Sequence, residues 1–288
     1  MKINPSQTIN NLGGKGYQLA LLKEFCLVPE YFVIYFEKED EIGIIEVQEE
    51  IIRIFDSYMF EYVSVRSSAT VEDSYGASFA GIFKTKLNVT RENLLESIRE
   101  ILESSKNKRV LEYCNYNGIK ASSIQMRVVV QKMVNSKVAG VCLTKQTDNP
   151  DMILIEACWG LGELLVSGMS MPDIYKVNRN NFEIEVVSIG YQKEKIAPFR
   201  PNEIQIVPFH LRNSKKLKDT EIIELAKMCL SIERNLEYLA ADIEWAFDKD
   251  TLYTLQARPY ICKARIDSSK ILQTQNKGEN VCTEYRRT

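Results

Sequence analysis

The strongest constraint in the chain lies near its C-terminal end, in the run DIEWAF–DKD–TLYTLQARP at residues 242–259. Polar and apolar side chains alternate on both sides of a short charged turn, and alternation is the period of a strand with two unlike faces. The run therefore predicts a β-hairpin. With Asp248, Lys249 and Asp250 as its loop, Phe247 faces Thr251, Glu244 faces Thr254 and Asp242 faces Gln256. One face then carries Asp242, Glu244, Thr254, Gln256 and Arg258, and the other Ile243, Trp245, Phe247, Tyr253 and Leu255. Two carboxylates, an amide oxygen and a guanidinium meet within cross-strand reach. Hard Mg²⁺ takes oxygen ligands, few of them from protein, and an adjacent arginine can grip a phosphate with two donors. A solvated outer face with one ion pair explains the same pattern and, taken alone, explains it better.

Upstream, the glycine-rich turn NLGGKG (residues 11–16) precedes a helical stretch from Tyr17 to Phe25. YFVIYF (31–36) is a buried strand, and Ile44, Val47, Ile51, Ile54 and Phe55 form one helical stripe. Tyr62–Arg66 is a strand that ends in a serine-rich turn. Another strand covers 82–89, and two helices follow, the first capped by Thr90 and the second ended by Gly118. From Ile124 to Ile189 the pattern changes to strands separated by turns. Residues 191–219 are polar and irregular, a long amphipathic helix covers about Glu221–Leu239, and the tail beyond Ile261 has no periodicity.

Five further segments carry candidate chemistry. Gly13, Gly14 and Gly16 flank Lys15 before a helix, so backbone amides and a point charge could meet a phosphate. The spacing is not that of a Walker A loop. VSVRSSATVED offers Arg66 at a strand end with Ser67, Ser68 and Thr70 beside it, a fork of donors plus hydroxyls that suits a polyphosphate. SFAGIF has the small residues of a mobile cover over phosphates. VVVQKMV could pass an adenine pocket, and WGLGELLVSG brings Glu163 near the site if its turn approaches it. Each of these also reads as ordinary structure: a glycine turn, an ion-paired loop, an edge strand or a core strand.

The bulk numbers exclude other classes. The net charge is −2 over 288 residues, so no broad positive field draws nucleic acid or an anionic membrane. The cluster Lys215, Lys216, Lys218 reads as a solvated loop. No apolar run approaches the ~20 residues of a membrane-spanning helix, and the first ten residues lack an apolar signal core, so the expected location is cytoplasmic. The seven cysteines include no CxxC pair, and Cys142 and Cys158 read as buried thiols. With His210 as the one histidine, no mechanism that needs two can operate within the chain.

Taken together and in order, VRSSA-x-x-ED, SFAG, VVVQ-x-MV, GLGE-x-x-VSG-x-x-x-PD, DIEWA and LQARP resemble the N-terminal nucleotide-binding domain shared by phosphoenolpyruvate synthase, pyruvate phosphate dikinase and rifampin phosphotransferase. The resemblance runs from about Leu12 to Tyr260. It implies an α/β (α+β) ATP-grasp fold, two lobes with mixed sheets that clasp ATP and Mg²⁺. It implies that Lys15 and Arg66 hold the triphosphate, that Gly81 belongs to the cover, and that Gln131, Met133 and Val134 line the adenine pocket. Glu244 and Gln256 would bind the metal with Asp242 beside them, and Arg258 would neutralise the transferring phosphoryl. Lys15, Arg66 and Arg258 are thus the implied catalytic groups.

The expected division is a first lobe over 1–125, shortened near 37–57, a second over 126–260 and a linker or disordered tail over 261–288. Family members pass the phosphoryl group to a histidine in a T-x-H-A-type motif on a separate domain. VPFHLRNS around His210 does not match that motif, so the resemblance implies a phosphohistidine carrier elsewhere and an unknown small-molecule acceptor beyond it. Two rival expectations stand beside this one: a kinase or ligase that acts directly on a small molecule, and a truncated remnant without activity.

Overall fold

The computed structural model describes residues 2–4, 12–70, 83–120, 124–147, 149–200 and 203–260. In chain order the elements are β1 (Lys2–Asn4), α1 (Gly13–Leu22), β2 (Tyr31–Tyr35), α2 (Ile45–Ser57), β3 (Val63–Ala69), β4 (Thr85–Val89), α3 (Leu94–Ser104), α4 (Lys108–Tyr116) and β5 (Met126–Lys132). They continue with β6 (Val138–Leu143), β7 (Met152–Trp159), α5 (Glu163–Val166), β8 (Asp173–Asn178), β9 (Ile184–Ser188), β10 (Glu194–Ile196), β11 (Ile204–Ile206), α6 (Asp219–Asn235), β12 (Ala241–Asp248) and β13 (Thr251–Pro259).

Two large sheets organise the molecule. The first runs β1-β2-β5-β3-β4 and the second β13-β12-β6-β7-β8-β9, with β10 and β11 as a separate ribbon. This is the expected α/β arrangement in two lobes. The strand directions differ from expectation, because every pairing among the described residues is antiparallel. On the first sheet α2 and α3 cover one face, and α1 packs on part of the other, against Tyr31, Val33 and Val129. The expected changeover at residue 126 also moves. β5 lies in the middle of the first sheet, so the chain crosses between sheets after Lys132 and before Val138.

Alternation decides which side chains face which way. On the first sheet, Phe32, Ile34, Val63, Val65, Val128 and Val130 point to one side and pack with Ile51 and Phe55 of α2 and Ile98 and Ile101 of α3. The segment expected to be short, 37–57, thus still supplies the helix that closes this core. On the second sheet, Ile153, Ile155, Tyr175, Ile243, Trp245 and Phe247 pack under Ile222, Leu225, Ala226, Cys229 and Ile232 of α6. A fully buried side chain of this size contributes roughly 1.5–3 kcal/mol, so each core amply fixes its own sheet.

The reading of Lys215, Lys216 and Lys218 as a solvated loop fails at the middle residue. The side chains of Lys216 and Asp173 are both 0% exposed, with Nζ to Oδ1 at 2.6 Å. Asp173 also accepts from the Tyr175 hydroxyl, the Gly190 amide and the Lys216 amide, and Lys216 donates in turn to the Gly190 carbonyl. Burying a charge this deeply is tolerable only because it is paired and saturated with hydrogen bonds. The aspartate of the -PD- segment thus pins the loop before α6 to the start of β8. His210, by contrast, is exposed in a 3₁₀ turn, Phe209–Leu211, as a surface histidine should be.

Candidate functional site

The hairpin forms, with a different register from the one read in the sequence. Asp248 pairs with Thr251, so Lys249 and Asp250 alone make the turn, and Lys249 adopts φ 53°. The pairing then shifts between Glu244 and Trp245, leaving Leu255 as an extra residue on β13. The consequence is that Glu244 faces Gln256 and Asp242 faces Arg258. The two-residue turn sets Thr254 opposite Trp245, and the bulge beyond it returns Gln256 and Arg258 to the face of Glu244 and Asp242. Thr254, expected on the polar face, is instead fully buried and donates to the sulfur of Met228 on α6. Tyr253 and Leu255, expected on the apolar face, pack with Val134, Ala139 and Ala246.

The bulge also leaves the Leu255 carbonyl available. Arg66, on β3 of the first sheet, uses it. Its Nη1 donates to Leu255 O at 3.0 Å and to Gln131 Oε1 at 3.2 Å. Its Nη2 donates to Glu244 Oε2 at 3.0 Å and to Gln256 Oε1 at 2.5 Å. One planar guanidinium thus gathers groups from β5, β12 and β13 and ties the two sheets across the cleft. Only 9% of its side chain is exposed, so these charge-assisted bonds act in a poorly screened setting. Arg66 Nε and Gln131 Nε2 are buried without partners among the described residues. Two orphaned donors on the cleft face of the first sheet fit an acceptor-rich ligand.

Glu244 and Gln256 offer oxygens that converge on one point, the Arg66 Nη2. Both are hard ligands, and the Glu244 side chain is 34% exposed, so solvent or a ligand can share its coordination. That donor set fits Mg²⁺ with few protein ligands. No cluster of three or more His, Cys, Asp or Glu suited to a metal occurs among the described residues. Asp242 is engaged by Arg258, whose Nε and Nη2 reach its Oδ2 at 2.9 and 2.6 Å. Register also places a residue the sequence reading passed over. Val141 of β6 pairs with both Glu244 and Glu156, so Glu156 of β7 lies in the same transverse row and on the same face. The alternation in MILIEAC carried that signal.

The glycine segment has a different explanation from phosphate approach. Gly13 begins α1 with φ 69°, and a Cβ there would stand 2.1 Å from the Ser68 carbonyl oxygen. The Ser68 hydroxyl donates to Leu12 O at 2.8 Å and accepts from the Gly16 amide at 3.0 Å. Gly13 and Gly16 therefore let α1 press onto β3, which brings half-buried Lys15 to the element that carries Arg66. The strand runs on through Ser67 and Ser68 instead of turning after Arg66. Neither serine hydroxyl expected at a polyphosphate is left for one. Ser67 is fully buried on the face of β3 that carries Val63 and Val65, Ser68 clamps α1, and the Thr70 hydroxyl accepts from the Gln125 amide.

At the other end of the cleft, Met133 and Val134 are nearly buried where the chain crosses between sheets. The Met133 amide donates to Tyr62 O at 3.0 Å, and Val134 packs into the apolar patch of Ala139 and Ala246. Gln131 does not face this patch; its amide is turned to Arg66. Gly81 lies outside the described residues.

Residues 38–279 match the protein family described as pyruvate phosphate dikinase, AMP/ATP-binding domain. The chain belongs to that family. The match begins later than the motif resemblance, which started at Leu12, and extends past Tyr260. A probable phosphoenolpyruvate synthase of Methanocaldococcus jannaschii is 39% identical over 202 residues, covering 68% of this chain and 17% of that protein. The rifampicin phosphotransferase of Bacillus cereus is 30% identical over 298 residues, covering 92% of this chain and 32% of that protein. The chain thus spans at most about a third of these relatives. Among solved structures, N5-carboxyaminoimidazole synthase from Aspergillus clavatus aligns with a TM-score of 0.45 at 8% identity, over 89% of this chain and 46% of that one. That likeness is too slight to carry an argument. No helix among the described residues is long and apolar enough to cross a membrane.

Proposed function

We propose that this member of the AMP/ATP-binding family binds Mg·ATP between its two sheets and acts as the phosphoryl donor of a phosphoenolpyruvate-synthase-like phosphotransfer. The observation that carries the reading is the convergence of Glu244, Gln256 and Arg66 on one point between the sheets. Glu244 and Gln256 would hold Mg²⁺, which supplies charge neutralisation at the phosphates. Arg66 exchanges Glu244 for phosphate oxygens as the nucleotide enters, and its orphaned Nε adds a donor. Lys15 supplies a second positive charge from the start of α1. Arg258, oriented by Asp242, stabilises charge that develops on the transferring group. The apolar patch of Val134, Ala139, Ala246 and Leu255 receives the base.

The acceptor in this reading is a histidine on another domain or polypeptide, which passes the phosphoryl group to a small molecule. His210 is not placed for the task, since it is exposed on the 3₁₀ turn outside the cleft cluster. Calorimetric titration with Mg·ATP, beside a Glu244→Ala/Arg258→Ala variant, tests the nucleotide site. Binding by the wild type that the variant loses supports it. A folded wild type that binds no Mg·ATP refutes it.

A further inference from the structure

Besides Arg66, the first sheet reaches the loop after β10 through Asn88. β3 and β4 pair with a shift between Val63 and Val65, which leaves an extra residue on β4. Next to that irregularity Asn88 adopts φ 53°, the left-handed region that asparagine tolerates better than other side chains. Its side chain is turned onto the loop after β10. Asn88 Nδ2 donates to Ala197 O at 3.1 Å and to Arg200 O at 3.3 Å, and Oδ1 accepts from the Phe199 amide at 2.9 Å. One buried amide thus satisfies three backbone groups of a loop that belongs to the other lobe.

The held residue, Phe199, is itself left-handed, at φ 62°. An aromatic side chain keeps such a backbone only where its surroundings impose it. Its ring stacks on Tyr62 with centroids 5.2 Å apart and planes 25° apart. Tyr62 in turn accepts the Met133 amide through its carbonyl at 3.0 Å. A second path leads to the same crossing. Ile196, just before the loop, accepts from the Leu161 amide, Ser136 donates to Gly160 O, and the Gly160 amide donates to Lys137 O. Both paths end in residues 133–137, the segment that joins the sheets.

We infer that Asn88 is a positioning residue for the base end of the nucleotide site: it holds Phe199 against Tyr62 and so fixes Met133 and Val134. The inference rests on the proposed Mg·ATP site. It predicts an uneven effect along the ligand. The phosphate end is set by Arg66, Glu244 and Gln256, which Asn88 does not touch. Losing the amide should therefore weaken grip on the base and leave grip on the phosphates alone.

The test uses the full chain and two probes, Mg·ATP and Mg·tripolyphosphate, with the wild type and with Asn88→Gly and Asn88→Asp. Glycine keeps the left-handed backbone and removes the side chain, so it separates the two contributions. Aspartate keeps the acceptor for Phe199 and removes both donors. The expected result is about tenfold weaker Mg·ATP binding by Asn88→Gly, the scale of one or two lost hydrogen bonds, with tripolyphosphate unchanged. Asn88→Asp, which sets a buried carboxylate against two carbonyl oxygens, should weaken Mg·ATP binding at least as much, again with tripolyphosphate unchanged. Equal weakening of both probes, or wild-type Mg·ATP affinity in Asn88→Gly, overturns the inference. If the wild type binds neither probe, the proposed nucleotide site fails first, a result distinct from any failure of Asn88.

Discussion

Arg66 and Glu244 stand 178 residues apart in sequence and meet at 3.0 Å, Nη2 to Oε2, across the cleft between the two sheets. The same Nη2 reaches Gln256 Oε1 at 2.5 Å, so the pair proposed to hold the cation and the group proposed to hold phosphate are satisfied by one another. On the proposed reading, nucleotide binding is an exchange of partners, and its strength depends on the fork geometry of arginine. Lysine offers a single ammonium and cannot serve Gln131, Leu255, Glu244 and Gln256 together. We expect Arg66→Lys to lower Mg·ATP affinity by at least about tenfold while the chain still folds. Calorimetry beside circular dichroism measures this. Unchanged affinity in the folded variant would remove Arg66 from the site.

Glu244 should govern the metal rather than the nucleotide alone. Glu244→Ala deletes the charged member of the oxygen pair, so the gain in ATP affinity on adding Mg²⁺ should shrink to a small fraction of the wild-type gain. Titrations with and without Mg²⁺ read this directly. A variant whose Mg²⁺ dependence matches wild type would mean that the metal is held elsewhere.

The sheets, the hairpin and the charged groups around Glu244 were legible because alternation and charge are local properties. The bulge at Leu255 was not. No glycine or proline marks it, and it shows only in the pairing of β13 with β12, where the Leu255 carbonyl meets Arg66. The two-residue turn puts Thr254 opposite Trp245, in the core, and Tyr253 opposite Ala246; the bulge then returns Gln256 and Arg258 to the face of Glu244 and Asp242. The serines after Arg66 failed for a related reason. Their hydroxyls suit a phosphate chemically, yet β3 extends past them and spends Ser68 on α1. Whether a polar side chain is spare depends on its neighbours, which a sequence does not list in space.

Lys216 teaches the same point and yields a stability prediction. Nothing local separates it from Lys215 and Lys218, and its partner Asp173 is 43 residues away. Lys216→Met leaves Asp173 buried with the Tyr175 hydroxyl and two amides as its remaining donors. Removing one member of a buried pair costs about 3–5 kcal/mol, and the surviving donors favour the lower end. The double variant Asp173→Leu/Lys216→Met should lose less than the sum of its single variants, because no charge is left buried alone. Urea unfolding of the three variants measures the coupling. Additive losses would show that the pair contributes nothing as a pair.

Cys158 gives a pH dependence whose sign can be worked out. Burial pushes its thiol up from 9.0 to about 12, with the nearby Lys216 pulling weakly the other way. Below pH 9 the thiol keeps its proton whether the chain is folded or not, and the full stability is present. Between pH 9 and about 12 the unfolded chain sheds a proton that the folded chain retains, so stability falls as pH rises. One such group contributes a slope of up to ~1.4 kcal/mol per pH unit in that window. Tyr31, raised by burial from 10.0 to about 12, adds to the loss in the upper part of it. Cys158→Ala lowers stability at every pH by deleting a buried sulfur, but it should also flatten the decline between pH 9 and 11. Urea midpoints at pH 8, 9, 10 and 11 for both proteins separate the two effects. Parallel declines would show that Cys158 does not titrate differently in the folded chain, and that the alkaline loss arises at other groups.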